Sequence, residues 1–375
     1  MKIASTSWRN NASSFREEPI VDVYFVDVGF GDAQIIAYKD SAIIIDCGPK
    51  SQKKPDSPST NPIVAILMQR NIRRLRALII SHLHEDHYGD ALAVLDYFEL
   101  YGSIDEIIYD VDLADLLPAN AKENSSLTHF LERVNELSDD QVVKKQLAPT
   151  ISNLISDDFW RLELLYPNAD DDVVFNENIR WDNPRINATS KILALNVEGA
   201  HRVLFTGDAP FPSFEKIFER LGRLNLDVIA APHHGLSINA SPDKAKRLYE
   251  EFIVTDNVFF SVGPSRHKAP SSEIVKSVTA AGSCALCSQA TTCLPKAKVC
   301  EWYKFRVDFF QKNEPDYWLM NADRSERVCA GTILAHINRS SVEIDGLENY
   351  LAFRHSAAQK LNLTLPCAPP SESEV

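Results

Sequence analysis

An apolar run, Ala77-Leu78-Ile79-Ile80, carries the chain through Ser81 into His82-Leu83-His84-Glu85-Asp86-His87. Three imidazoles and two carboxylates within six residues either stay in water or share a bound cation. On a helix, residues two apart point away from each other, so His82 and His84 could not serve one ion there. On an extended strand end they share a face, and both rings reach the same point. The run before them, residues 76–81, reads as a buried strand and supports the extended form. Asp86 continues on that face, and His87 joins it if the chain turns, for which Tyr88-Gly89-Asp90 supply the residues. The spacing offers two imidazoles to one ion and a carboxylate with an imidazole to a second. Such ligands suit Zn, Mn or Fe without any thiolate.

A second apolar strand, NLDVIAAP, ends at His233-His234-Gly235. Paired histidines can simply line a loop, as a polar cluster can simply be solvated. Here five of the ten histidines fall in two clusters, each closing an apolar strand, which favours metal over both ordinary readings. Other catalytic patterns fail. Gly29-Phe30-Gly31 has two glycines of a dinucleotide fingerprint but lacks the third, and no nucleophile elbow or Walker A motif occurs.

Along the chain, residues 1–17 are polar and expected to be disordered. From Pro19, VDVYFVDVG, AQIIAY and SAIIIDCG read as consecutive antiparallel strands. A loop over 51–62 precedes the helix PIVAILMQR. SSLTHFLERVNEL aligns Leu127, Phe130, Leu131, Val134 and Leu137 on one helical face, which makes His129 an ordinary helix residue. RLELLYP, KILALNVEG, HRVLFTGD and NLDVIAAP form a second strand series, with helices expected over 212–222, 241–251 and 270–281. Two β-rich halves, each followed by helices, predict an α+β, αββα sandwich. Past Gly282 the text changes. Four cysteines fall within residues 284–300, and EWYKFRVDFF and CAGTILAHI read as strands of a Cys-rich C-terminal β extension over 283–350. Residues 351–375 are expected to be a disordered tail.

The chain has 375 residues, 45% hydrophobic and 24% charged, enough for a full core without disulfides. The N-terminus lacks an apolar secretory segment and no run would span a membrane, so a cytoplasmic protein with no membrane partner is expected. A net charge of −13 argues against a generally sticky nucleic-acid binder, though not against a local basic groove.

HLHEDHYGD resembles the H-x-H-x-D-H signature of metallo-β-lactamase-fold hydrolases. FVDVGFGDA and IIIDCG are similar to the opening hairpins of the branch containing the bacterial DNA-uptake protein ComEC and phosphorylcholine esterases. NATSKILAL, LFTGDA, APHHG and FFSVG resemble its later segments, so the likeness covers about residues 19–282, the expected hydrolase domain. It implies His82 and His84 on one metal, Asp86 and His87 on the other, and Asp208 bridging both. His234 would complete the second metal, with His233 beside the substrate as a donor to developing negative charge. Asp46 would orient a histidine ligand. Together Asp46, Asp86 and His233 are the expected catalytic residues. Many family members place another histidine before the bridging aspartate. Here that region reads Ile186-Asn187-Ala188-Thr189-Ser190, so the first metal would have only two imidazoles and the bridge, and would be weakly bound, completed by water or Asn187, or absent. The histidine the branch carries after its SVG strand has only His267 as a counterpart.

The implied activity is metal-dependent hydrolysis with two zinc ions, or manganese, supplying hydroxide at neutral pH. A phosphodiester, as nucleic acid or nucleotide, is the expected substrate. Arg180, Arg185, Arg266, His267 and Lys268 could hold its phosphate or be plain surface charge. The alternatives are a regulatory or binding module with a degenerate site in a defence or DNA-processing assembly, and a lactone or lactam hydrolase. Cys284, Cys287, Cys293, Cys300 and Cys329 could supply a structural zinc, with Cys287, Cys293, Cys300 and Cys329 as the expected set.

Overall fold

Strand signals at the two ends of the first half come together in a single sheet. The computed structural model describes residues 20–49, 61–110, 125–139, 143–145, 153–168, 171, 186–236, 242–263, 268–290, 293–294, 296–313 and 329–363. The expectations for residues 1–17, 51–60 and 364–375, and for Arg180, Arg185, Arg266 and His267, lie outside these.

The first half runs β1 (Val21–Phe25), β2 (Gln34–Tyr38), β3 (Ser41–Ile45), α1 (Pro62–Gln69), β4 (Arg74–Ile79), a single turn α2 (Glu85–Tyr88), α3 (Ala91–Tyr101), β5 (Ser103–Ile104), β6 (Glu106–Ile108), α4 (Ser125–Asp139) and β7 (Val143–Lys145). The second half runs β8 (Asn153–Ser156), β9 (Trp160–Tyr166), β10 (Ile192–Val197), β11 (Ala200–Phe205), α5 (Phe211–Leu221), β12 (Leu224–Ala230), α6 (Pro242–Arg247) and β13 (Ile253–Phe260). After these come α7 (Ser272–Ala280), β14 (Cys284–Cys287), α8 (Val299–Asn313), β15 (Ile333–Ile337), β16 (Val342–Ile344) and α9 (Leu347–Leu361).

One sheet has the order β16-β15-β1-β2-β3-β4-β6-β7, with β5 also beside β4, and the other β14-β13-β12-β11-β10-β9-β8. The first three strands pair antiparallel as expected. Alternation decides which layer each side chain enters. Val21, Val23 and Phe25 face the layer between the sheets, where the Phe25 ring lies 5.2 Å from that of Phe259. Tyr24 and Val26 face outward to a core shared with Ile63, Leu67, Leu95, Phe98 and Phe130 of α1, α3 and α4. On the far side, Phe211, Phe214, Ile217, Ile274 and Val278 of α5 and α7 cover the second sheet. The layers are therefore helix, sheet, sheet, helix.

Two expectations for the C-terminal part need correction. EWYKFRVDFF is helical, within α8, not a strand. Trp302, Phe305, Arg306 and Phe309 recur at helical spacing, and Phe353 of α9 meets Trp302 edge-on at 5.0 Å and stacks on Phe305 at 5.8 Å. The stretch expected to be disordered from 351 continues α9 to Leu361, with Phe353, Ala357 and Leu361 buried. Residues 283–363 add strands to both sheets, since β14 extends the second and β15 pairs with β1.

The loops that matter leave the C-terminal ends of parallel strands. β3 and β4 run parallel, and so do β11 and β12. Asp46 follows β3, His82 follows β4, Asp208 follows β11 and the paired histidines follow β12. Ligands commonly bind at the carboxyl ends of such strands.

Candidate metal centre

The chain already bends over residues 81–83, earlier than the expected turn at Tyr88. His84 (φ −92, ψ 148) is extended and precedes the turn α2, which begins at Glu85. Asp86 and His87 sit within α2, whereas His82 lies in the bend before it. His82 Nε2 and His84 Nδ1 are 3.0 Å apart, which aims two ring nitrogens at one point.

Asp208 stands between two sets of imidazoles. Its Oδ1 lies 3.3 Å from His87 Nε2 and 3.5 Å from His234 Nε2. Its Oδ2 lies 3.7 Å from His82 Nε2 and 3.5 Å from His233 Nε2. Asp86 closes the first of these sides, with Oδ2 3.4 Å from His234 Nε2. The approach is made possible by Gly207, whose φ of +48 and missing Cβ leave room for Ser81 Oγ, which a Cβ would meet at 2.7 Å.

Two carboxylates face the outer nitrogens of the ligand rings, one in a hydrogen bond and one beyond hydrogen-bond contact. Asp46 Oδ2 lies 2.8 Å from His87 Nδ1, and the same carboxylate accepts the backbone N–H and hydroxyl of Ser81, each at 2.7 Å. Asp32 Oδ1 lies 3.5 Å from His234 Nδ1, and Phe30 packs against that ring at 4.6 Å. Asp32 and Ser81 are the site residues that sequence reasoning did not single out. Asp32 sits inside the segment FVDVGFGDA, but no spacing rule ties it to His234.

The electrostatics follow from burial and these neighbours. Burial pushes the imidazole of His87 down, but Asp208 and Asp46 override it and hold the ring well above the usual histidine value. Burial likewise opposes protonation of His234, and Asp32 and Asp208 raise it to about 10. His82, His84 and His233 are lowered, chiefly by burial. Asp208 is held well below the usual carboxylate range despite burial, by His87, His234 and His233. Asp46 is raised by burial, only partly offset by His87.

The donor set fits divalent metal. His87 Nε2, His234 Nε2 and Asp208 Oδ1 are buried, converge within a few ångströms and make no hydrogen bond. Buried polar atoms of this kind normally have a partner. Among the described residues, groups of three or more ligand atoms within 4.8 Å include His82, His87 and Asp208, and also Asp86, His87 and His234. All such groups are of histidine and aspartate, and neither His84 nor His233 belongs to one.

Among the described residues no group of three ligand atoms within 4.8 Å includes a cysteine of the expected four-thiolate site. Cys284 and Cys287 lie three apart on β14 and so face opposite sides of the sheet. Cys287 joins the outer core, whereas Cys284, Cys293 and Cys329 contact the layer between the sheets, and Cys300 is exposed. Asn187 is buried with its Oδ1 free of hydrogen bonds, and its segment is tied to the site where Lys191 N–H donates to Ser81 O at 3.1 Å. Lys268 is exposed.

Residues 26–103 match the family model described as the Metallo-beta-lactamase superfamily. A search of curated proteins gives no match. Among solved structures, the metallo-beta-lactamase fold protein YhfI from Bacillus subtilis is similar at 12% identity and a TM-score of 0.42, over 72% of this chain and 96% of that one. Igni18, described as a novel metallo hydrolase from Ignicoccus hospitalis, is similar at 14% identity and a TM-score of 0.39, over 72% and 94%. Human tRNase Z, short form, shares 16% identity at a TM-score of 0.35, over 66% and 94%. With two packed sheets, helices on both faces and a superfamily match over residues 26–103, the chain carries the metallo-β-lactamase fold.

Proposed function

We propose that this chain is a metal-dependent hydrolase acting on phosphodiesters, as a phosphodiesterase or nuclease. The observation that carries the reading is the placement of Asp208, whose two oxygens face separate imidazole sets. A carboxylate so placed suits two ions, proposed to be zinc, with manganese the alternative. Bound ions would supply Lewis acidity and lower the pKa of water from 15.7 towards roughly 7. His82, His84 and Asp208 would hold one ion, and Asp86, His87, His234 and Asp208 the other.

The chain's own groups do the positioning. Asp46 and Ser81 fix the His87 ring so that Nε2 faces Asp208, and Asp32 faces the outer nitrogen of His234 at 3.5 Å, short of a hydrogen bond. Phe30 shields the His234 face from water. Asp86 and His233 keep 26% and 28% of their side chains exposed, whereas His82, His87, Asp208 and His234 are buried, which marks the open side where substrate would enter. Phosphodiester rather than lactam or lactone chemistry is supported by the likeness of FVDVGFGDA, NATSKILAL and APHHG to the ComEC and phosphorylcholine esterase branch. Among the described residues no helix is long and apolar enough to cross a membrane. A cytoplasmic location is part of the proposal.

The test is turnover of bis-p-nitrophenyl phosphate with Zn or Mn, beside a lactam and a lactone. Metal-dependent cleavage of the phosphodiester alone is expected. Cleavage of only the lactam or lactone would replace this reading, and a metal-loaded chain inert to all three would favour a binding module.

A further inference from the structure

We propose that His233 is a metal ligand, the third imidazole of the ion held by His82 and His84, and not a donor to substrate. The inference rests on the two-ion reading above and completes its weaker half.

The sequence leaves that half short. No histidine occurs over 186–190, so His82, His84 and Asp208 are its only evident ligands, whereas zinc is usually four-coordinate. Asp208 sorts the paired histidines by oxygen. His234 Nε2 lies 3.5 Å from Oδ1, on the side of His87 and Asp86. His233 Nε2 lies 3.5 Å from Oδ2, the oxygen that His82 Nε2 approaches to 3.7 Å. Neighbouring residues on a strand would send their side chains to opposite faces. Here one carboxylate receives both.

The backbone achieves this at a cost. His233 (φ 52, ψ 43) and His234 (φ 55, ψ 21) are consecutive left-handed residues, a conformation disfavoured for a side chain with a Cβ. The turn is pinned from both sides. His233 N–H donates to Gly207 O at 3.0 Å, beside Asp208, and Leu236 N–H donates to His233 O at 2.8 Å. Two strained residues locked against the bridging aspartate are explained if both rings have fixed targets. A loop histidine that only touched substrate would need one.

Metal binding to the purified full-length chain, stripped of metal, tests the assignment without substrate. Zinc titration by calorimetry should show two ions for the native chain. His233→Asn and His233→Ala should keep one at native affinity and weaken the other by about tenfold or more. Asn tolerates the left-handed conformation, and circular dichroism and melting without metal check that each variant is folded. In a His234→Asn background, adding His233→Asn should weaken the remaining ion as well. The assignment is overturned if the His233 variants bind both ions at native affinity while turnover falls, or if Asn187→Ala weakens the first ion and the His233 variants do not. A chain that binds two ions through this set yet cleaves no phosphodiester would overturn the functional reading and support the ligand assignment. A native chain that binds no ion would overturn both.

Discussion

Asp46 and His87 stand 41 residues apart in the chain, and a carboxylate oxygen of one meets Nδ1 of the other at 2.8 Å. That contact sets the orientation of the ring and directs its Nε2 at Asp208. Carboxylates in this position typically contribute 10–100-fold to metal affinity or activity. Asp46→Asn should therefore lower zinc affinity and hydrolysis by about that factor. Asn is the informative change, because Asp46 has φ +58 and Asn tolerates it. Unchanged zinc affinity in the folded variant would remove Asp46 from the site.

Asp32 faces His234 Nδ1 in a looser version of that contact, at 3.5 Å and without a hydrogen bond. Asp32→Asn should also cost about 10–100-fold in zinc affinity, with the loss confined to the ion on the Asp86, His87 and His234 side. Calorimetry that shows the other ion weakened instead would contradict the pairing.

Asp208→Ala should reduce hydrolysis to background and weaken both ions, with the fold retained by circular dichroism. Each of its oxygens faces its own imidazole pair, so no single substitution elsewhere should have that double effect. Asn187→Ala should do less, since water can take its place. Native turnover in Asp208→Ala would rule out bridging.

Trp302 is fully buried against Phe353, where α8 packs on α9. Trp302→Ala should destabilise the chain by about 3–5 kcal/mol in denaturant titration. Because β14 and β15 extend the two sheets, one cooperative transition should move as a whole. Separate melting of the C-terminal part would show that it folds independently.

His336 on β15 lies 2.6 Å from Asp22 of β1, which also pairs with Arg70. The hydrogen bond to Asp22 raises the imidazole above its ordinary value of 6.5, against the effect of burial. A raised folded value means the pairing is fully stabilising below about pH 6.5 and is lost as pH rises through the folded value. His336→Gln should then lower the melting temperature more at pH 5.5 than at pH 9. An equal loss at both would show that charge plays no part.

The strand ends and the ligand types they carry were legible in the amino-acid sequence. HLHEDH, TGDA and HHG each close an apolar run, and a strand that enters a buried sheet must release its polar residues at its end. The layer order was also legible in the sequence, because period-two runs with helices after them have few ways to bury both faces. What lay beyond it depends on contacts between distant segments. The approach of Asp32 to His234 arises only once β1 and β12 stand in facing sheets. Whether His233 or His234 meets a given oxygen of Asp208 follows from two left-handed residues that no composition announces. EWYKFRVDFF fits a strand and a helix about equally, and Phe353 on α9 decides for the helix by giving Trp302 and Phe305 one surface to share. The cysteines are close in sequence, but alternation along β14 turns Cys287 to the outer face, away from the layer that Cys284, Cys293 and Cys329 contact.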